Sequence, residues 1–95
     1  MAGLYKAQGR YGEAEPLLVR SLQICEQQLG PDHPNTAASL NNLAVSYCYE
    51  NRFAEAEPLF VRALAIQEKT LGLEHPHTVG TRESLANVRQ AMQGG

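Results

Sequence analysis

The sequence has no basic tract. Its 8 Lys and Arg are outnumbered by 10 Asp and Glu, both signs are mixed along 95 residues, and the net charge is −2. A nucleic-acid partner is therefore not expected. No run of the ~18 apolar residues that a membrane span needs is present. The opening stretch, MAGLYKAQGRY, lacks the apolar middle of a secretory signal. Cysteine is scarce: Cys25 and Cys48 are the only two, inside helical patterns and without a CxxC spacing. They read as reduced core or groove residues, and the expected compartment is the cytoplasm. There is no phosphate-binding glycine loop, paired-carboxylate site or nucleophile motif, so neither catalysis nor a cofactor is expected. His33, His75 and His77 lack Cys or carboxylate companions at zinc spacing, so they read as turn residues and not as metal ligands.

What the chain does have is a repeat. Residues 52–72, RFAEAEPLFVRALAIQEKTLG, restate residues 10–30, RYGEAEPLLVRSLQICEQQLG, at an offset of 42. Over residues 10–36 against 52–78, 16 of 27 positions are identical. A repeat of this period points to a stacked array of small units. Apolar residues make up 43 % of the chain, enough for one small domain if its elements stack closely.

The periodicity is helical throughout. Residues 4–9 read as the tail of a helix closing at Gly9. Tyr11, Ala14, Leu17, Leu18, Ser21, Leu22, Cys25 and Leu29 step by three and four along one face of a long helix. Pro16, repeated as Pro58, predicts a mild bend or a late regular start. The turn GPDHPN follows, with Asp32 or His33 as cap and Pro34 at the first helical position. A second helix is expected over 36–50, with Leu40, Leu43, Ala44 and Tyr47 on its packing face and Asn51 closing it in the left-handed conformation. The long helix recurs over 53–71 with Phe53, Ala56, Phe60, Ala63, Leu64 and Leu71. A last helix over 78–92 keeps Leu85 and Ala86 but has Arg82 and Arg89 where Leu40 and Tyr47 stood. Such polar drift suits a terminal capping helix. Residues 93–95 should fray. Glu13, Glu15 and Arg20, with Glu55, Glu57 and Arg62, read as a solvated helix face of weak surface pairs.

The order Leu40, Leu43-Ala44, Tyr47, then Ala56, Phe60 and Ala63 resembles the tetratricopeptide repeat, a helix–turn–helix unit. The 42-residue period and the words LNNLA, RFAEAEPLF, RALAI and LGLEHPHT are similar to its kinesin light chain type. The resemblance implies an all-α superhelix (a solenoid of antiparallel helix pairs) forming a single domain. That domain would comprise a truncated first repeat at 1–30, a complete second repeat at 31–72 and a capping helix at 73–92. It also implies a concave groove lined by the first helix of each unit, which in related proteins binds extended peptide segments. By register the groove positions are Lys6 in the first helix, Ala38, Asn41, Val45, Cys48 and Tyr49 in the second, and Glu83, Asn87 and Gln90 in the last. Ala7, Gly80 and Ala91 share that register. The cationic clamp that some members use for a C-terminal carboxylate is missing, since Asn41, Val45, Glu83 and Asn87 stand at the matching positions. The expected function is therefore a non-catalytic scaffold for a protein or extended peptide. The alternative is a self-associating assembly unit, because a partial first helix would leave the face of 11–29 incompletely covered.

Overall fold

The computed structural model describes residues 11–94 and the side chains of residues 15–93. The expectations for the helix tail at 4–9, for Gly9, Lys6 and Ala7, for the side chains of Tyr11, Glu13 and Ala14, and for Gly95 lie outside those residues. Among the described residues four α-helices follow one another: α1 Tyr11–Gln28, α2 Pro34–Tyr49, α3 Phe53–Thr70 and α4 Pro76–Gly94. No strand occurs among the described residues. Each helix packs on the next in sequence.

The connections are short because each carries a residue that turns the chain at once. Gly30 and Gly72 close the long helices at φ 99° and 96°, in the left-handed region that side-chain-bearing residues rarely adopt. Asn51 closes α2 at φ 62°, as its amide type permits. The helices that follow the two glycine turns, α2 and α4, start on a His-Pro pair. His33 is the N-cap of α2: its Nδ1 accepts from the Asn35 amide at 3.0 Å, and Pro34 opens the helix. Asp32 plays no capping part. His75 does the same for the following turn, accepting from the His77 amide at 3.1 Å. Thr36 donates to the Gly30 carbonyl at 2.7 Å and ties the turn to the helix that follows it.

Helices α2 and α4 begin two residues before the spans 36–50 and 78–92, with Pro34 in the first helical position, as its place after a His33 cap predicts. Gln93 and Gly94 belong to α4. Pro16 and Pro58 sit within α1 and α3, and the helical assignment continues through both.

The core has two lobes. One gathers Leu22 from α1 with Ala37, Leu40 and Leu43 from α2 and Ala63 and Ile66 from α3. The other gathers Ala44 from α2 with Ala56 and Phe60 from α3 and Leu85 and Val88 from α4. Ala37, Ala44, Ala56 and Ala63 are fully buried, so small residues mark where the helix axes approach closely. Burying a side chain of Leu or Phe size stabilises by about 1.5–3 kcal/mol, and half-buried Tyr47 and Leu59 touch both lobes and join them. Ala86, the repeat-mate of Ala44, is exposed: among the described residues no further helix covers α4.

The charged face is not simply solvated. Arg52 lies 4.5 Å over the Tyr47 ring and donates to Glu15 of α1 at 2.7 Å, to Glu50 at 3.0 Å and to Glu55. Arg62 of α3 pairs with Glu26 of α1, and Arg89 of α4 with Glu57 of α3 at 2.9 Å. These pairs bridge between helices, which a reading along one helix face could not reveal. The hydrogen bonds that Arg52 donates to Glu55, then to Glu50, raise its pKa above the ordinary range, and the same guanidinium lowers that of Glu55.

Candidate functional site: a groove between α2 and α4

Helix α3 lies behind α2 and α4, and its buried side chains floor the space between them. Two adjoining pockets run along this space. The larger, about 390 Å³, is walled by Ala38, Asn41 and Asn42 of α2 and by Pro76, His77, Gly80 and Thr81 of α4, with Gln67 and Phe60 from α3. The smaller, about 270 Å³, continues past Cys48 and Tyr49 on one wall and Asn87 and Val88 on the other. Val45, Phe60 and Ser84 line both, so the two form one groove. Among the described residues, no Asp, Glu, Lys or Arg lines either pocket. Small residues at Ala38 and Gly80 keep the walls apart at one end, and nothing lies within 4 Å of where a Cβ on Gly80 would stand.

Of the positions expected to face a partner, Ala38, Asn41, Val45, Cys48, Tyr49 and Asn87 line these pockets. Glu83 and Gln90 are exposed and lie outside both linings. Lys6 lies outside the described residues. Val45 and Tyr49 are exposed apolar surface, 39 % and 50 % accessible, one helical turn apart. Burial raises the Cys48 thiol above its ordinary pKa, the opposite of what a nucleophilic thiolate needs. Cys25 is half-buried, with Sγ 3.4 Å from Ser39 Oγ.

Periodicity alone missed the floor. Phe60 stood out only as a core residue, and Gln67 was not singled out. A signal existed: Gln67 occupies the position of Cys25 on an otherwise apolar stripe, where a polar residue is out of place. Thr81 was also missed. It accepts from Asn41 Nδ2 at 2.9 Å and donates to the His77 carbonyl at 3.0 Å, which joins the two walls.

A helix–turn–helix unit restated at 42 residues, closed by Gly and His-Pro turns and stacked face to face, is matched by the tetratricopeptide repeat family model over residues 1–69 and 40–94. The chain belongs to the tetratricopeptide repeat family. Among solved structures it is similar to a Podosopora anserina protein of kinesin light chain type with nearly identical TPR-like repeats, at 34 % identity and a TM-score of 0.85. A single-substitution variant of that protein matches at 33 % identity and the same TM-score. Each match covers 98 % of this chain and 44 % of the other, so the tetratricopeptide array described here spans less than half the length of those structures. No curated protein matches the chain. The fold is thus an all-α tetratricopeptide solenoid, and repeats of this family generally serve as protein-interaction scaffolds. None of its described helices is long and apolar enough to cross a membrane.

Proposed function

We propose that this chain is a non-catalytic scaffold whose groove between α2 and α4 receives an extended segment of a partner protein. The observation that carries the reading is the groove's continuity. Two pockets share three lining residues and run from the Pro76 end to Tyr49 and Asn87. Its lining suits a peptide without a strong charge. Val45 and Tyr49 offer apolar and aromatic area, while Asn41, Asn42 and Asn87 offer amides that can both donate and accept. The partner is a protein or peptide, with no role for nucleic acid or membrane, and the setting is the cytoplasm. A peptide-array screen with the wild type and an Asn41→Ala/Tyr49→Ala variant tests this. The variant should lose most of the binding, and equal binding by both proteins would refute the groove as the site.

One observation favours a second reading, self-association through α1. Leu17 is 67 % and Ile24 45 % exposed, whereas their repeat-mates Leu59 and Ile66 are packed against α2, Ile66 to 4 %. Among the described residues, the face that α3 uses to stack on its predecessor is therefore open on α1, and a second copy would cover it in a dimer or a helix-exchanged oligomer. Light scattering over a concentration series tests this. A mass that rises with concentration and returns to the monomer in Leu17→Glu/Ile24→Glu supports it, and a strict monomer refutes it.

A further inference from the structure

The groove floor holds hydrogen-bond acceptors that the chain does not satisfy. Gln67 is 3 % exposed, lines the larger pocket, and its Oε1 has no partner. Asn41 lines the same pocket, and its Oδ1 is likewise buried and unpaired. Buried polar atoms are nearly always bonded, because an unbonded one loses its water without replacement.

The orientation of Asn41 is set by its neighbours. The Thr81 hydroxyl spends its proton on the His77 carbonyl, so it meets Asn41 as an acceptor. Asn41 must turn its NH₂ to Thr81 and leave Oδ1 open. The first repeat shows the contrast. There the mates of Gln67 and Thr81 are Cys25 and Ser39, which contact each other at 3.4 Å. In the second repeat the hydroxyl is engaged elsewhere and a longer side chain with a free acceptor lies on the floor.

Resting on the groove reading above, we propose that the floor between Asn41 and Gln67 is a subsite for an uncharged, N–H-donating side chain of the partner segment, the carboxamide of Asn or Gln. A carboxamide NH₂ carries two donors without a charge, so it can donate to either acceptor. An ammonium group would shed water with no carboxylate lining the groove to compensate it. A carboxylate would meet an acceptor at each of the two unpaired atoms. An apolar side chain would leave both acceptors unpaired, which is how a polar site rejects an analogue lacking the donor.

A positional library of N-acetylated, C-amidated decapeptides, with one position set in turn to Gln, Asn, Leu, Lys or Glu, is the test. The wild type should prefer Gln and Asn pools over the Leu pool by about tenfold, the scale of one unsatisfied buried group. Gln67→Met, close in volume but with only the Asn41 acceptor left, should prefer the Gln pool over the Leu pool by clearly less than the wild type does. Gln67→Glu should move the preference to Lys, and urea unfolding confirms that each variant is folded. Binding by the wild type without preference between Gln and Leu overturns the subsite but leaves the groove. Failure of every pool, or indifference to Asn41→Ala/Tyr49→Ala, overturns the groove reading and the subsite with it.

Discussion

The packing of α1 on α2 and of α3 on α4 uses the same sequence positions twice, and the two interfaces differ where it matters for binding. In the first, half-buried Leu18 packs with Leu22, Leu40 and Leu43, and Cys25 contacts Ser39. In the second, Phe60 replaces Leu18 and is 2 % exposed, Gln67 replaces Cys25, and Arg82 replaces Leu40. Arg82 leaves the core, donates to the Leu73 carbonyl at 3.1 Å and lies 3.9 Å from Glu68. The helix frame is unchanged, as the matching Gly and His-Pro turns require. Changes at a few facing positions leave the second interface with a polar floor. A repeat frame thus separates the residues that stack the units from those free to acquire a partner.

The sharpest way to break this comparison is to truncate the paired positions. Phe60→Ala should cost about 3–5 kcal/mol, because a fully buried ring leaves a cavity in the second lobe. Leu18→Ala should cost only about 1–2 kcal/mol, since that side chain is half-buried. Urea midpoints at constant slope measure both, and equal losses would mean that the two interfaces are energetically equivalent.

A smaller effect is expected from the charges that join the units. Arg62→Met removes the bridge from α3 to Glu26 of α1, in which both groups keep about a third of their surface in water. The loss should be about 0.5 kcal/mol at low salt and should vanish in 1 M NaCl, where screening acts within about 3 Å. A loss unaffected by salt would assign Arg62 a packing role instead.

The smallest expected effect is on pH dependence. Tyr47, which joins the lobes, has its pKa raised by burial and then by Glu15, and Cys48 of the groove has its own raised by burial. With folded values above unfolded ones, the native state holds these protons longer than the unfolded chain. The stability they supply is complete at neutral pH and declines as pH climbs past the ordinary values of 9.0 and 10.0. Denaturant titrations from pH 7 to 11 should show this alkaline decline, reduced in Tyr47→Phe. A decline of the same size in that variant would remove Tyr47 as a source.

Much of the architecture was legible before any coordinates. The 42-residue offset, the three-and-four spacing of Leu40, Leu43 and Tyr47, and the turn residues Gly30, His33 and Asn51 are local or periodic signals, and each states a backbone geometry directly. The groove walls were legible in part, because Ala38, Asn41, Val45 and Tyr49 share a register on one helix. Glu83 and Gln90 share the register on α4 yet fall outside the pocket linings. Register gives direction about an axis, not distance to the opposite wall.

The sequence by itself determined the four helices, their order and turns, and the stacking face, since these depend on the period of apolar residues and on backbone preferences of single residues. Only the tertiary structure decided which side chains meet across helices. Arg52, Arg62 and Arg89 became bridges, Thr81 became the link between the groove walls, and Gln67 became an unpaired acceptor on the floor. The bridges and the link depend on atoms from different parts of the chain coming within about 3 Å, the unpaired acceptor on no donor doing so, and no spacing along one chain encodes either.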